Sequence, residues 1–290
     1  AALLAGWSAI GLGAAALNLR HDARLDCHVL SVGHGGAVLV ELPDGKKLLY
    51  DAGRLGSPAG GARSVAAFLW SRGITHLDAI VLSHADVDHY NAVPELLEKF
   101  SVGALYVTPL MMRDEGAAMN KLRAAIQRFQ PPLVETLAGD RLRIGAGCRA
   151  EVLHPTLTRR IASDNANSLV LLLEYQGRRI LLTGDLEPPG LDDVIAESPL
   201  DCDVILAPHH GSLRSNPSAF AAWSTPEWVI ISGGHGDSRP EFDRAYAAVG
   251  ATILSTAECG TISASVAGGN LHIQTLRQRP KVITANVPLH

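Results

Sequence analysis

The chain has 290 residues, of which 47% are hydrophobic and 19% are charged, which is enough for one substantial core and a short additional segment. Its formal net charge of −4 excludes a global basic field, so a polyanionic partner would need a local basic patch. The four cysteines, Cys27, Cys148, Cys202 and Cys259, form no C-x-x-C pair, which excludes a zinc ribbon. We expect most of them to be buried thiols, and one or two disulfides are the alternative left open.

The chain begins with an apolar segment. Residues 1–17 contain no charged side chain, and the first arginines are Arg20 and Arg24. Because a soluble helix normally has a polar face, we expect residues 1–18 to be the end of a transmembrane helix. This helix would place the domain at the cell membrane, and the side of the membrane on which the domain lies is left open. The alternative is a buried helix rich in alanine and glycine. A signal peptide is disfavoured because no basic region precedes the apolar run.

After a link at residues 18–25, strand and helix patterns alternate along the chain. In the first half, apolar runs and turn residues predict strands at 27–31, 37–42, 47–50 and 79–82, and helices at 62–72, 92–100 and 116–129. In the second half they predict strands at 149–153, 168–175, 179–183, 203–207, 228–232, 251–255, 260–266 and 270–275, and helices near 189–197 and 241–249. Each half has strands first and helices later, which predicts an α+β fold with two packed sheets and helices outside. Residues 276–290 are expected to form a polar, poorly ordered tail.

Residues 83–89, Ser-His-Ala-Asp-Val-Asp-His, carry the densest cluster of titratable groups. They follow the predicted strand 79–82 and precede a predicted helix, so they lie on a loop held at both ends, where functional groups are common. Imidazole and carboxylate groups are ligands for divalent metals, and four of them in six positions are enough for two ions. A polar turn with an aspartate helix cap is the disfavoured alternative.

Two further strand ends carry ligand-type residues. Asp185 follows the strand 179–183 in Thr-Gly-Asp, and His209 and His210 follow the strand 203–207 in Pro-His-His-Gly-Ser. Taken alone, Asp185 is typical of a turn. Together the three clusters predict a dinuclear metal site.

The motifs HxDxDH at 84–89, TGD at 183–185 and PHHGS at 208–212 resemble those of the metallo-β-lactamase fold, an αββα sandwich of metal-dependent hydrolases. More narrowly, they are similar to the C-terminal domain of the ComEC family, the membrane channels for DNA uptake in natural competence. That family has an aspartate at the second ligand position, as Asp86 is here, and residues 32–36, 51–53 and 165–170 match it as well. The resemblance covers residues 26–275.

The resemblance implies a ligand set for two divalent ions. His84 and Asp86 would hold one ion, Asp88 and His89 the second, and Asp185 would bridge them, with either His209 or His210 completing the second site and either His154 or Asn167 the first. Asp51 would orient a ligand instead of binding metal. An oxygen-rich set of this kind suits Mn²⁺ or Mg²⁺ as well as Zn²⁺.

The implied function is a phosphodiesterase or nuclease that cleaves DNA, expected to be a single strand, with Asp88 and Asp185 in catalytic roles and a water activated by both ions. One alternative is a general hydrolase of a small ester, lactone or nucleotide. Another is a catalytically weak metal-binding or DNA-guiding module, which is favoured by one departure: the family usually has Gly-Gln-Gly-Asp where residues 33–36 read Gly-His-Gly-Gly. Candidate cations for DNA are Arg141, Arg143, Arg159, Arg160, Arg178, Arg179 and Arg214. The oligomeric state is left open.

Overall fold

The computed structural model describes residues 23–145, 147–156, 163–233 and 240–277. The apolar segment 1–18, the arginines at 159 and 160, and most of the tail 276–290 therefore lie outside the described residues. Within the described ranges, no helix combines the length and the apolar character that crossing a membrane requires.

The first sheet has eight strands. These strands are β1 (Leu25–Val29), β2 (Ala37–Glu41), β3 (Lys47–Ala52), β5 (Ala79–Val81), β7 (Leu105–Val107), β8 (Leu133–Glu135), β15 (Ile262–Ala267) and β16 (Asn270–Thr275). Their order across the sheet is β16-β15-β1-β2-β3-β5-β7-β8. The run from β3 through β5 and β7 to β8 is parallel, whereas the remaining pairs are antiparallel. A separate pair of two-residue strands joins β4 (His76–Leu77) to β6 (Ser101–Val102).

The second sheet has six strands. They are β9 (Arg149–His154), β10 (Val170–Tyr175), β11 (Arg178–Leu182), β12 (Val204–Leu206), β13 (Trp228–Ile231) and β14 (Thr252–Ser255). Their order across the sheet is β14-β13-β12-β11-β10-β9. The α-helices of the described ranges are α1 (Pro58–Ser71), α2 (Val87–Tyr90), α3 (Val93–Lys99), α4 (Ala117–Phe129), α5 (Gly190–Ile195), α6 (Pro217–Ser224), α7 (Pro240–Ala247) and α8 (Thr256–Cys259).

The two sheets pack face to face, and helices cover their outer faces. Alternation along β2 shows the arrangement: Val38 and Val40 join the core between the sheets, while Leu39 points to the helical side. Helices α1, α3 and α4 cover the first sheet, and α5, α6 and α7 cover the second. The predicted αββα sandwich is confirmed.

Most predicted elements are present, with shifted ends. Helix α1 begins four residues earlier than predicted, because Pro58 occupies its first turn and the hydroxyl of Ser57 accepts a hydrogen bond from the N–H of Gly60 at 3.2 Å. Strands β7 and β8, of three residues each, were not predicted. All four cysteines are free thiols, and three of them are buried, as expected.

The topology brings strand ends from both sheets together. Strands β3 and β5 are parallel in the first sheet, and β11 and β12 are parallel in the second. The loops that follow the two strands of each pair therefore lie at the same end of their sheet. The N–H of Leu169 donates to the carbonyl of Ser83 at 2.8 Å, and the N–H of His209 donates to the carbonyl of Gly184 at 3.1 Å. The first bond joins a loop of the second sheet to a loop of the first sheet, and the other bond joins the loops after β11 and β12 within the second sheet.

Candidate metal centre

The three polar segments found at strand ends lie together in the structure. Residues 83–89 follow β5, residues 183–185 follow β11 and residues 208–212 follow β12. They form two groups whose potential ligand atoms lie within 4.8 Å of one another: His84, His89 and Asp185 in one, and His34, Asp88 and His210 in the other. The first group is entirely buried, whereas the second opens to solvent at His34.

Asp88 and His89 are consecutive residues of helix α2, and their side chains point in different directions. The helix is a single turn, and consecutive residues on a helix point about 100° apart. His89 therefore faces Asp185, with Nε2 3.1 Å from Oδ1, while the Asp88 carboxylate faces His210, with Oδ2 3.8 Å from Nε2. The resemblance implies that Asp88 and His89 hold the same ion, but the structure places these two side chains in different groups.

Asp51 orients both histidines of the buried group. Its Oδ2 accepts from His89 Nδ1 at 2.9 Å and from the Ser83 hydroxyl at 2.8 Å, and its Oδ1 accepts from the Ser83 N–H at 2.7 Å. The Ser83 oxygen in turn lies 2.8 Å from His84 Nδ1. With both Nδ1 atoms donating, the network assigns the tautomer in which each Nε2 points into the site. This agrees with the positioning role expected for Asp51.

The His84 ring meets the requirements of a metal-binding histidine. Its Nε2 is buried and, in the part of the chain that the structure describes, has no hydrogen-bond partner. The nearest carboxylate oxygen of the HxDxDH motif, Asp86 Oδ2, lies 3.7 Å away on the solvent side. An imidazole fixed through Nδ1, with Nε2 left without a partner in an acidic pocket, suits a divalent cation, so the residues present fit such an ion.

Asp185 faces both groups. Its Oδ1 is close to His89, and its Oδ2 lies 3.6 Å from His210 Nε2. Burial raises the pKa of Asp185, but attraction to His89 and His210 outweighs burial and holds the pKa well below its usual value. Burial likewise lowers the pKa of His89, but Asp185 and Asp51 outweigh it and raise the pKa well above its usual value. The space between the carboxylates of Asp185 and Asp51, where His89 lies, therefore stabilises positive charge.

The structure distinguishes His209 from His210. His210 is buried, its Nδ1 lies 2.8 Å from the carbonyl of Ser232, and its Nε2 faces Asp88 and Asp185. His209 Nε2 also lies 3.7 Å from Asp185, but its Nδ1 is bound to the carboxylate of Glu187 at 2.5 Å. His210 is thus the histidine that belongs to a ligand group, and His209 lies at the rim.

Of the two candidates for the third ligand of the first site, His154 joins no ligand group formed by the described histidine, cysteine, aspartate and glutamate residues. His154 is buried at the end of β9, where its Nδ1 lies 2.9 Å from the carbonyl of Ser168, and burial lowers its pKa. Asn167 donates through Nδ2 to the carbonyl of Ser163 at 2.7 Å. Asp164, which was not among the predicted site residues, precedes the segment 165–170; burial raises its pKa, and the charge of Asp86 raises it further.

A third acidic group, away from the strand-end loops, does not have free ligand atoms. Asp26, His28 and Glu41 lie on β1 and β2, with ligand atoms within 4.8 Å of one another. His28 Nδ1 is bound to the Ser263 hydroxyl at 2.7 Å, and Glu41 is paired with the ammonium of Lys47 at 2.8 Å. Hydrogen bonds and ion pairs of this kind account for the cluster without a metal.

Gly36 stands where the ComEC family usually has aspartate, and it packs against the ring of His89. A Cβ atom at Gly36 would lie 3.0 Å from His89 Nδ1 and 3.4 Å from the Cβ of Asp51. A side chain at position 36 would therefore press on the ring of His89. The buried ligand group itself, His84, His89 and Asp185, does not include this position.

The fold and the ligand groups agree with the sequence family. Residues 30–235 match the family described as the metallo-beta-lactamase superfamily, and the chain belongs to it. The metallo-beta-lactamase fold protein YhfI from Bacillus subtilis has the same fold, with a TM-score of 0.55, 10% identity, and coverage of 86% of this chain and all of that one (100%).

Two curated relatives support the narrower resemblance. ComE operon protein 3 of Bacillus subtilis (strain 168) is 32% identical over 220 residues, which cover 71% of this chain and 28% of that protein. Competence protein ComA of Neisseria gonorrhoeae is 28% identical over 255 residues, which cover 86% of this chain and 33% of that protein. The predicted similarity to ComEC-type competence proteins is confirmed, and the chain spans about a third or less of these relatives.

Proposed function

We propose that the chain is a metal-dependent phosphodiesterase or nuclease domain of a ComEC-like DNA-internalisation protein. The observation that carries the proposal is the position of Asp185, whose two carboxylate oxygens face the His84–His89 pair on one side and His210 on the other. One carboxylate between two sets of ligands is the arrangement expected of a dinuclear hydrolytic site.

Two divalent ions, Zn²⁺ or Mn²⁺, would supply hydroxide near neutral pH and stabilise the negative charge that develops on the attacked phosphate. His84, His89 and Asp185 would hold one ion. Asp88 and His210 would hold the other and share Asp185 with the first. Asp86, on the solvent side of His84, would complete the first set from outside.

Asp88 is the side chain best placed to move a proton. It lies at the boundary between the buried group and the open side, with 9% of the residue exposed. Burial raises its pKa, but attraction to His210 and His89 outweighs burial and lowers it, so the carboxylate is ionised at neutral pH. An ionised carboxylate there can accept the proton of an attacking water and orient that water toward the phosphate.

The groove beside the second group would bind the DNA strand. It is open to solvent and lined by His34, His209, His210, Gly211, Ser212 and Leu213, and the exposed Arg214 follows directly. Arg178 and Arg179, in contrast, lie at the far end of β11 and are paired with acidic residues. We therefore assign the phosphate contact to Arg214. By the same family resemblance, residues 1–18 would attach the domain to the cell membrane.

A nuclease assay tests the proposal. The chain loaded with Mn²⁺ or Zn²⁺ is expected to cleave labelled single-stranded DNA, and Asp88→Asn is expected to lower the rate on the order of 100-fold or more. Asp78→Asn is the matched control, because Asp78 is bound to Lys46 and to the N–H of Lys47 at the opposite end of β5. Equal, metal-independent inactivity of wild type and Asp88→Asn would refute catalysis and leave a binding module. Cleavage of a small ester but not of DNA would favour a general hydrolase.

The DNA contact has its own test. Arg214→Ala is expected to weaken single-stranded DNA binding and to reduce the slope of log affinity against log salt by about 0.7, the value for one phosphate contact on a single strand. Arg128→Ala serves as control, because Arg128 lies on α4, on the helical side of the first sheet, where it pairs with Glu98. An unchanged slope in Arg214→Ala would remove Arg214 from the proposed interface.

A further inference from the structure

We infer that His34 supplies a third side chain, beside Asp88 and His210, to a divalent ion on the open side of the centre. This inference rests on the proposed function in one respect, the presence of a metal ion at the second group. His34 stands where the ComEC family usually has glutamine, so an imidazole at this position departs from the usual residue of the family.

The distances among the three side chains suit one ion. His34 Nε2 lies 3.9 Å from Asp88 Oδ2, and the same oxygen lies 3.8 Å from His210 Nε2. Two ligand atoms at zinc–nitrogen or zinc–oxygen bonding distance in a tetrahedral site lie roughly 3.4 Å apart. The two separations that involve Asp88 therefore need to shorten by about half an ångström around an ion, and the ligand atoms of all three side chains already lie within 4.8 Å of one another.

The backbone around His34 is fixed toward this group. The His34 carbonyl accepts from the N–H of Leu55 at 2.8 Å, and the carbonyl of the next residue, Gly35, accepts from the hydroxyl of Ser232 at 2.7 Å. Ser232 also offers its own carbonyl to His210 Nδ1, at 2.8 Å. One residue thus positions both the loop that carries His34 and the ring of His210.

Close packing restricts the backbone conformation of the loop that carries His34. Gly35 has a φ of 140°, and a Cβ atom there would lie 2.6 Å from the carbonyl oxygen of Gly53 and 2.7 Å from that of Asp88. The N–H of Gly36 donates to the same Asp88 carbonyl at 3.2 Å. His34 is therefore carried on backbone that is bound directly to the segment holding Asp88, although its side chain is 53% exposed.

The arrangement of the rings indicates a shared cation. The imidazoles of His34 and His210 lie 4.8 Å apart between centroids, tilted by 46°, with the Asp88 carboxylate between their Nε2 atoms. Two neutral imidazoles and one carboxylate directed at one point form a ligand set for zinc. Addition of an imidazole to a carboxylate-rich site also shifts metal preference from Mn²⁺ toward Zn²⁺.

Metal binding measured without any substrate tests the inference. We expect wild type to bind two Zn²⁺ per chain, and His34→Ala to weaken the second ion about 10-fold or more while the first is retained. His34→Gln, which restores the usual residue of the family, is expected to lower the ratio of Zn²⁺ to Mn²⁺ affinity. The absorption spectrum of the Co²⁺-loaded protein should change in both variants. His76→Ala is the matched control, since His76 is similarly exposed but bound to Ser101 at the far end of the strands.

The outcomes separate the two proposals. If wild type binds two ions and both His34 variants keep both affinities and the same Co²⁺ spectrum, the inference fails and the proposed function stands. If wild type binds no divalent ion, both fail. Thermal unfolding of the metal-free variants checks that His34→Ala is folded, which its exposed side chain predicts.

Discussion

Replacement of Asp51 by asparagine should weaken metal binding without a change in any ligand. Asp51 is 1% exposed and accepts three hydrogen bonds, one from His89 and two from Ser83, which in turn contacts His84. Asparagine has nearly the same shape and tolerates the positive φ of 57° at this position. The substitution therefore removes the charge and one acceptor oxygen while it keeps the backbone.

The expected loss follows from those contacts. Without the carboxylate, His89 Nε2 becomes a weaker ligand, and the side-chain amide that replaces the carboxylate turns an N–H toward one of the former donors. Loss of such a carboxylate–histidine contact typically costs 10- to 100-fold in metal affinity, which corresponds to about 1.4 to 2.8 kcal/mol. Since two ligand histidines depend on Asp51, we expect a value near the upper end for the ion at His84 and His89.

Competition with a chromogenic chelator measures this affinity for Zn²⁺ and Mn²⁺ at fixed pH. Asp78→Asn is the control, because it removes a carboxylate that is likewise hydrogen-bonded, from the far end of the same sheet. An Asp51→Asn protein that is folded and binds both ions within about twofold of wild type would refute the orienting role of Asp51.

Two further predictions concern position 36 and the acidic cluster on β1 and β2. Gly36→Asp restores the residue usual in the ComEC family, and its Cβ would lie 3.0 Å from Nδ1 of His89. We therefore expect this substitution to lower the free energy of unfolding by about 1 to 3 kcal/mol, as measured by denaturant titration. A gain in stability would contradict the packing argument. Burial raises the pKa of Glu41, but hydrogen bonds from His28 and Lys47 outweigh burial and lower the pKa in the folded protein. Ionised Glu41 therefore stabilises the fold at a pH above 4.5, the pKa of the unfolded chain, and this stabilisation is lost as the pH falls below that value. Glu41→Gln should therefore cost about 2 kcal/mol at pH 7 and flatten the acid limb of stability against pH, whereas the exposed Glu98→Gln should leave that limb unchanged.

The sequence predicted the parts of the centre that are contiguous in the chain. Residues 83–89, 183–185 and 208–212 each follow a buried strand, and an apolar run that ends in ligand-type residues is visible without a structure. The sandwich followed from the order of strands and helices. Short strands such as Leu105–Val107 were not predicted, because their packing is determined by neighbouring strands in the sheet.

The grouping of the ligands could not be predicted in the same way. Whether His89 shares a group with Asp88 depends on the turn of about 100° between them in a one-turn helix, which sequence proximity hides. The choice of His210 over His209 depends on the carbonyl of Ser232, and the approach of His34 to Asp88 joins residues more than fifty positions apart. These contacts are tertiary and leave no local pattern.

The hydroxyl of Ser232 and the carbonyl of Gly35, which bond across 197 positions of sequence, have a consequence for biosynthesis. Loops from the first and second sheets must both be in place before either ligand group is complete. A chain still emerging from the ribosome therefore has only part of the buried group until Asp185 has joined the second sheet, and only part of the open group until His210 has done so. Tight metal uptake is therefore expected only after the two sheets have docked. Loading with metal would thus mark a finished fold, and a truncated chain would compete poorly for scarce ions.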